Sequence, residues 1–301
     1  MTHSNPTIAV VMSTYNGADH LAEQIDSVLA QDVQNLVLYV RDDGSSDSTT
    51  SILSSYEREG KLIFIQGENK GAVGSFLELI GLVPTDIPYI ALCDQDDVWH
   101  VDKLSRALSI IPTKPQDIPQ LYCSEYMFCD AEMHQQGRSC LNQIGVDFPK
   151  MLFENMVSGN TVVINRPLAD AVNAAGREGV YCPDWWPALL AAALGEITFD
   201  DFSSLEYRRT GSNVSPTGSG GLALLKYRIR TFFQKGELNN VIDQLELLNH
   251  SFGDQLGPQK KKLLVRMLHG NRLSKAFVPV RLRQKRKEEF ALRLLFLLGK
   301  L

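Results

Sequence analysis

At 301 residues, with 44% apolar and 22% charged side chains, the chain has the length and composition of one large globular domain, or of a domain with an appendage. No run approaches the roughly 18 apolar residues of a helical membrane span. The N-terminus lacks the basic start and apolar core of a secretory signal, and five scattered cysteines without a CxxC pair fit reduced structural thiols, so a cytoplasmic protein is expected. The net charge of −5 divides unevenly: from Gln259 onward 13 Lys/Arg face only Glu288 and Glu289, a net of about +11, which leaves about −16 on the rest.

The first part of the chain alternates strand and helix. Ile8–Met12 reads as a buried strand, and Leu21, Ile25, Val28 and Leu29 give the helical spacing of a segment from about Ala18 to Gln31. Strands follow at Leu36–Val40, Leu62–Ile65, Tyr89–Cys93 and from Leu121, separated by helices at Ser48–Arg58, Gly74–Leu82 and Val101–Ile111. Strands separated by helices of about ten residues predict βαβ units and a parallel sheet, an α/β protein. Later, Val157–Asn165 is expected as a strand and Arg166–Ala175 as a helix with Pro in its first turn. Asp184–Leu194 reads as a buried apolar helix, and Ile197–Phe199 and Ser204–Arg208 as two short strands. Thr210–Gly221 reads as a loop, and Leu222–Gln234, Glu237–His250, Lys260–Leu268 and Val280–Leu298 as helices.

The stretch Asp94-Gln95-Asp96-Asp97-Val98-Trp99 places three carboxylates within four residues at the end of a buried strand. Ligands in open α/β sheets bind outside the carboxyl ends of the strands. Carboxylates crowded there repel one another and call for a cation. Mg²⁺ or Mn²⁺, hard ions that share themselves between one or two carboxylates and substrate phosphates, suit the place. A solvated acidic turn that caps the following helix is the plainer reading of the same residues.

Four further stretches fall in register with it: Ser13-Thr14-Tyr15-Asn16, Val40-Arg41-Asp42-Asp43-Gly44-Ser45, Asp184-Trp185-Trp186, and Tyr207-Arg208-Arg209-Thr210-Gly211-Ser212-Asn213. Together, in order and spacing from about Thr7 to Asn213, they resemble the family 2 glycosyltransferases of the GT-A fold. The DQDDVW and DWW versions look most like bacterial rhamnosyltransferases of surface-polysaccharide synthesis. The resemblance implies a mostly parallel central sheet flanked by helices in a domain at 1–219, with a basic helical extension at 220–301. It implies sugar transfer from a nucleotide-sugar donor, a UDP or dTDP sugar such as dTDP-rhamnose, to a hydroxyl of a glycan or lipid-linked saccharide, with inversion at the sugar.

On that resemblance Ser13, Thr14 and Tyr15 form a nucleotide-contacting loop, with Tyr15 either stacked on the base or packed at the strand end. Asp43 accepts the pyrimidine N3–H, and Lys70, Asp94 and Gln95 complete the nucleotide site, an exposed loop lysine being the plainer reading of Lys70. Asp96 is the expected direct metal ligand, with Asp94 on ribose or metal and Asp97 acting through water. Asp184 resembles the general base that takes the acceptor proton, and it also precedes an apolar helix as an N-cap acid would. Trp185, Trp186, Gly159, Asn160, Arg208 and Thr210 are the expected acceptor or phosphate contacts.

Thr210 stands where the family often has His, and Pro183 where His often precedes the Asp-Trp-Trp run. These departures keep open a second reading, a weakly active or inert relative that binds nucleotide or glycan and acts by interaction. A nucleotidyltransferase would carry basic residues in its glycine-rich loop, whereas Ser13–Gly17 holds none. The basic C-terminal segment reads either as an interfacial helix against the anionic inner face of a membrane or as a helical pair packed on the core or on a second subunit of a homo-oligomer. Nucleic acid is not an expected partner, because the tail lacks interleaved aromatics and the body is acidic.

Overall fold

The computed structural model describes residues 8–209 and 237–301. The predicted loop at 210–221, the helix at 222–234, Thr210 and the 219/220 boundary lie outside the described residues.

A nine-stranded sheet carries the fold, in the order β3-β2-β1-β4-β8-β6-β9-β5 with β7 paired to β6. The strands are β1 (Ile8–Thr14), β2 (Leu36–Asp42), β3 (Ile63–Gln66), β4 (Tyr89–Cys93), β5 (Val98–Trp99), β6 (Gln120–Cys129), β7 (Gln135–Arg138), β8 (Val163–Asn165) and β9 (Glu196–Arg208). β3, β2, β1 and β4 run parallel, β8 opposes β4 and β6, and β9 runs parallel to β6. The sheet is therefore mostly parallel, with β5, β7 and β8 reversed. β1 and β4 are buried on both faces almost throughout, which is why both read as unbroken apolar runs rather than alternating ones.

The helices of the first part are α1 (Leu21–Leu29), α2 (Thr49–Arg58), α3 (Gly71–Leu82), α4 (Lys103–Ile110), the single turn α5 (Phe148–Met151), α6 (Arg166–Ala175) and α7 (Trp185–Leu194). Asn165 caps α6 by accepting the Leu168 N–H, and the same Oδ1 accepts the Gln120 N–H at 2.8 Å, tying the helix start to β6. In α7 every residue from Trp185 to Ala193 is buried, because it is covered on both sides. A C-terminal set, α8 (Glu237–Phe252), α9 (Pro258–His269), α10 (Arg272–Ala276) and α11 (Arg286–Leu298), closes over it. Leu245, Leu264, Met267, Leu282 and Phe296 share one apolar cluster with Trp185, Trp186, Leu189, Phe148 and β4. Polar contacts reinforce the seam: Lys260 Nζ donates to the carbonyls of Ala192 and Ala193 at the end of α7, at 2.8 and 2.9 Å, where the helix dipole favours a cation.

Three local expectations differ from the structure. The strand expected at Val157–Asn165 is strand only from Val163, because residues 159–161 form a 3₁₀ turn whose Gly159 N–H is drawn to Asp184. The two short strands expected at 197–208 are one strand, its register against β6 shifting between Ser124 and Met127. The helix expected from Val280 begins at Arg286, since the buried Glu289 carboxylate accepts the Leu282 and Arg283 N–H groups and holds that segment outside the helix. Trp186 is wholly buried in the shared cluster. Trp186→Ala is expected to cost about 3–5 kcal/mol of stability in urea unfolding followed by tryptophan fluorescence.

Candidate functional site

Because β2, β1 and β4 are adjacent and parallel, their carboxyl ends at Asp42, Thr14 and Cys93 lie side by side. The chain leaves β1 towards β2 and β3 on one flank and returns as β4 on the other, which makes this edge a topological switch point.

On the β1–β2 side the predicted residues divide into those that face outward and those that support them. Tyr15 is 51% exposed at the rim. Asp43 is buried, with the Arg41 guanidinium against Oδ1 and the Lys70 N–H donating to the same oxygen at 2.8 Å. Ser13 Oγ donates to Ser75 Oγ at 2.7 Å. Thr14, expected to contact nucleotide, is fully buried and donates to Asp42 Oδ1 at 3.2 Å, so it braces the turn instead. Asp42 organises that turn by accepting the Gly44 and Ser45 N–H groups at 3.1 and 2.9 Å. The Lys70 ammonium is paired with Glu78 at 2.7 Å. Gln95 bridges the two sides: its Oε1 accepts the Tyr15 N–H at 2.8 Å and its Nε2 donates to the Tyr15 carbonyl at 3.2 Å. Gly17 makes room for that bridge, since a Cβ there would sit 2.3 Å from Gln95 Oε1.

The acidic turn concentrates charge. Burial first, then the neighbouring charges of Asp96 and Asp184, push Asp94 up to about 7, against the pull of Lys103. Burial also raises Asp96, against His20 and Arg208. Asp97, expected to act through water, is instead fully buried and accepts the Asn160 amide at 2.5 Å and the Arg208 N–H at 3.4 Å. Asn160 and Arg208, expected as acceptor or phosphate contacts, are therefore supports. Asn160 is fully buried, and Arg208, 4% exposed, spends its guanidinium on the carbonyls of Asp96 and Ala131 at 3.0 and 2.8 Å and on Glu23.

Asp184 caps α7. Its Oδ1 accepts the Trp185 N–H at 2.8 Å and the Cys182 thiol at 3.1 Å, and its Oδ2 accepts the Gly159 N–H at 3.1 Å. Each carboxylate oxygen takes about two such bonds, so Oδ2 keeps a free lone pair. A Cβ on Gly159 would stand 3.2 Å from Asp184 Cβ. Trp185 and Trp186, expected at the acceptor side, turn inward: Trp186 is fully buried, and Trp185 is 7% exposed with Nε1 donating to the Met151 carbonyl. A helix packed on both flanks leaves these aromatic rings no other direction.

Lys103 escaped the sequence reading. It is 1% exposed at the start of α4, and its Nζ donates to the Asn160 carbonyl at 2.8 Å and to Ser204 Oγ at 3.3 Å and lies 4.5 Å from the Trp99 ring centroid. Burial lowers its pKa to about 7, against the acids and thiols around it. Nothing in its local sequence, a helix start with Arg106 three residues on, marks it as buried. Also unforeseen are Asp130, Glu132 and His134 in the turn between β6 and β7, whose ligand atoms lie within 4.8 Å of one another. That turn is exposed, and bonds from the His134 N–H and Gln136 to Asp130 account for its shape. Asp94 and Asp96 present two carboxylates at the strand tips with Lys103 as the buried countercharge, a donor set suited to a hard divalent ion that takes its remaining ligands from phosphates and water.

The model of the glycosyl transferase family 2 matches residues 9–163, just over half of the chain. The chain belongs to that family. Among curated relatives it is 32% identical over 130 residues to the uncharacterized glycosyltransferase RP339 of Rickettsia prowazekii, covering 43% of this chain and 39% of that one. It is 32% identical over 105 residues to the dTDP-rhamnosyl transferase RfbG of Shigella flexneri, covering 33% and 36%. The chain thus spans about two fifths of the length of such relatives. Its fold is similar to that of the mannosyltransferase PcManGT from Pyrobaculum calidifontis, solved with GDP-Man and Mn²⁺, at a TM-score of 0.56 and 14% identity over 99% of this chain and 75% of that one.

The charge arrangement of this GT-A family member sets its pH dependence without metal. Asp94 has an ordinary value of 3.8 raised to about 7, so the folded state holds more protons than the unfolded one across that window, and stability falls as pH rises through it. Asp97, pushed well above the usual carboxylate range by burial and then by Asp94 and Asp96, acts in the same direction as Asp94, while Lys103, lowered from 10.5 to about 7 by burial, opposes it above neutrality. The melting temperature of the metal-free protein is expected to fall as pH rises from about 4 to 7. Asp94→Asn should flatten that fall. Millimolar Mn²⁺ should raise the melting temperature most at and above neutral pH, where the carboxylates are ionised.

Proposed function

We propose that the chain transfers a sugar from a nucleotide-diphosphate donor to a hydroxyl of a glycan or lipid-linked saccharide, with Asp184 as general base. The observation that carries the reading is that consecutive residues of one turn bind both acidic groups: the Gly159 N–H holds Asp184 Oδ2 and the Asn160 amide holds Asp97 of the acidic turn. The Asp184 charge also contributes to raising Asp94. A donor diphosphate held at the strand tips would expose its anomeric carbon on the side from which Asp184 acts. The free lone pair of Oδ2 takes the proton of the acceptor hydroxyl as its oxygen forms the new bond to that carbon and the bond to the diphosphate breaks. A single base and no covalent intermediate give inversion.

Asp96, with Asp94, would hold a divalent ion, which when bound neutralises the diphosphate and stabilises it as a leaving group. Asp43, fixed by Arg41 and the Lys70 N–H, would accept the N3–H of uracil or thymine, and exposed Tyr15 would stack on the base. A dTDP sugar, with dTDP-rhamnose foremost, is the donor we favour, supported by the likeness to RfbG over a third of the chain.

The reading is tested by nucleoside diphosphate release from UDP-, GDP- and dTDP-sugars with Mn²⁺ or Mg²⁺, using glycan and lipid-linked acceptors. Asp184→Asn should lower kcat by about 10²–10⁴-fold while donor affinity by calorimetry is kept. Gly159→Ala, which crowds Asp184, should lower kcat with little change in KM for the donor. Asp96→Ala should abolish the metal dependence of donor binding. Full turnover in Asp184→Asn would refute the assignment of the base, and donor binding indifferent to metal and to Asp96 would refute that of the acidic turn.

A further inference from the structure

The C-terminal helices bury one face and leave the other apolar. In α11, Glu289, Leu292, Leu295 and Phe296 face the core. Phe290 is 71% exposed and Leu298 58%, with Leu294 and Leu297 exposed between them. At 3.6 residues per turn, Arg286, Lys287, Phe290, Leu294, Leu297 and Leu298 fall within an arc of about 120°. The neighbouring α10 adds Leu273, 64% exposed, and Phe277, just beyond its end, 68% exposed. Arg293 fastens the two helices by donating to the carbonyls of Ala276 and Val278.

Cations cluster at one end of this face. Arg281, Lys285, Arg286 and Lys287 are exposed, and among the described residues none of them is in an ion pair. The two acids nearby are spent: Glu288 pairs with Arg283, and Glu289 pairs with Arg293 and accepts two backbone N–H groups. An open cavity of about 360 Å³, lined by Arg281, Arg286, Glu289, Phe290 and Arg293, lies where the charged and apolar parts meet.

We infer that the outer face of α10 and α11 is a docking surface for an anionic phospholipid bilayer. Phe290, Leu294 and Leu297 enter the headgroup–acyl boundary, and Arg281, Arg286 and Lys287 meet lipid phosphates. An apolar arc continuous with unpaired cations is the pattern of a helix lying in the membrane interface. α11 has 13 residues, too few to cross the roughly 30 Å hydrocarbon core, and no described helix is long and apolar enough to do so. A second copy is the poorer occupant, since both copies would bring the same excess of unpaired cations, and no exposed unpaired acid on this face, to the contact. Lys260, Arg283 and Arg293 of this segment are spent on contacts within the protein, which leaves Arg281, Lys285, Arg286 and Lys287 as the charge free to meet an anionic surface.

The test is co-sedimentation of the full chain with vesicles of phosphatidylcholine alone and with vesicles containing about one-third phosphatidylglycerol, without donor or metal, so that it is independent of the transferase reading. Binding to the phosphatidylglycerol vesicles alone is expected, weakening with salt. Phe290→Ser with Leu297→Ser should weaken it by on the order of tenfold. Arg286→Gln with Lys287→Gln, exposed substitutions that carry the test if the first pair disturbs folding, should weaken it by roughly thirtyfold. Absent or equal binding to both vesicles, binding unchanged in both double variants, or a concentration-dependent dimer in light scattering that dissolves in these variants would each overturn the inference.

Discussion

A fully buried carboxyl is costly unless its oxygens are hydrogen-bonded, and Asp97, which burial and then the charges of Asp94 and Asp96 push well above the usual carboxylate range, is held by contacts from several parts of the chain. The Asn160 amide and the Arg208 N–H bond it directly. Lys103, also buried, binds the Asn160 carbonyl, and the acids and thiols around it work against the burial that lowers its pKa. β4, the 3₁₀ turn at 159–161, the start of α4 and the end of β9 are thereby drawn to one point. The preceding residue of that turn does the complementary task, because the Gly159 N–H holds Asp184 Oδ2. Two consecutive residues thus link the acidic turn to the residue facing it. The link between Asp97 and Asp184 therefore runs through one 3₁₀ turn.

This arrangement places stability and chemistry in opposition. Asp94 and Asp96 are raised by burial, Asp94 further by its neighbours, and Lys103 is lowered by burial, so the ionised forms of all three are disfavoured in the folded protein. An apolar strand end would cost nothing of the kind. Such local conflict is expected where a binding constellation is kept pre-formed, and the surrounding structure absorbs it: β1 and β4 are buried along almost all of their length, and Gln95 locks the loop after β1 to the turn after β4.

Much of this was readable in the sequence, for physical reasons that also mark where reading stops. The buried strands β1, β2 and β4 announce themselves as apolar runs, and the acids at their ends are informative because strand tips in a parallel sheet share one edge. α6 was bounded correctly because Asn165, Pro167 and Gly176 mark its ends chemically. The directions of individual side chains were not readable. Asn160, Thr14, Arg208 and the two tryptophans sit beside site residues in sequence yet point inward, since partners far along the chain decide which way they turn. Lys103 shows the same limit from the other side: a lysine at a helix start looks solvated until Asn160 and Ser204 are known to close over it. The late start of α11 depended on Glu289 reaching back to Leu282 and Arg283, a tertiary contact with no local signature.

The seam between α7 and the C-terminal helices has a consequence for how the protein comes into being. The residue that begins α7 is anchored by a helix whose far end is capped by Lys260 and whose flank rests on Leu264, Met267 and Phe296. During synthesis Asp184 leaves the ribosome well before those residues. The described strands of the sheet and its acidic turn are all made by Arg208, but the packing that anchors Asp184 comes from α9 and α11, made later. The order of synthesis therefore puts the anchoring of Asp184 after the formation of the acidic edge.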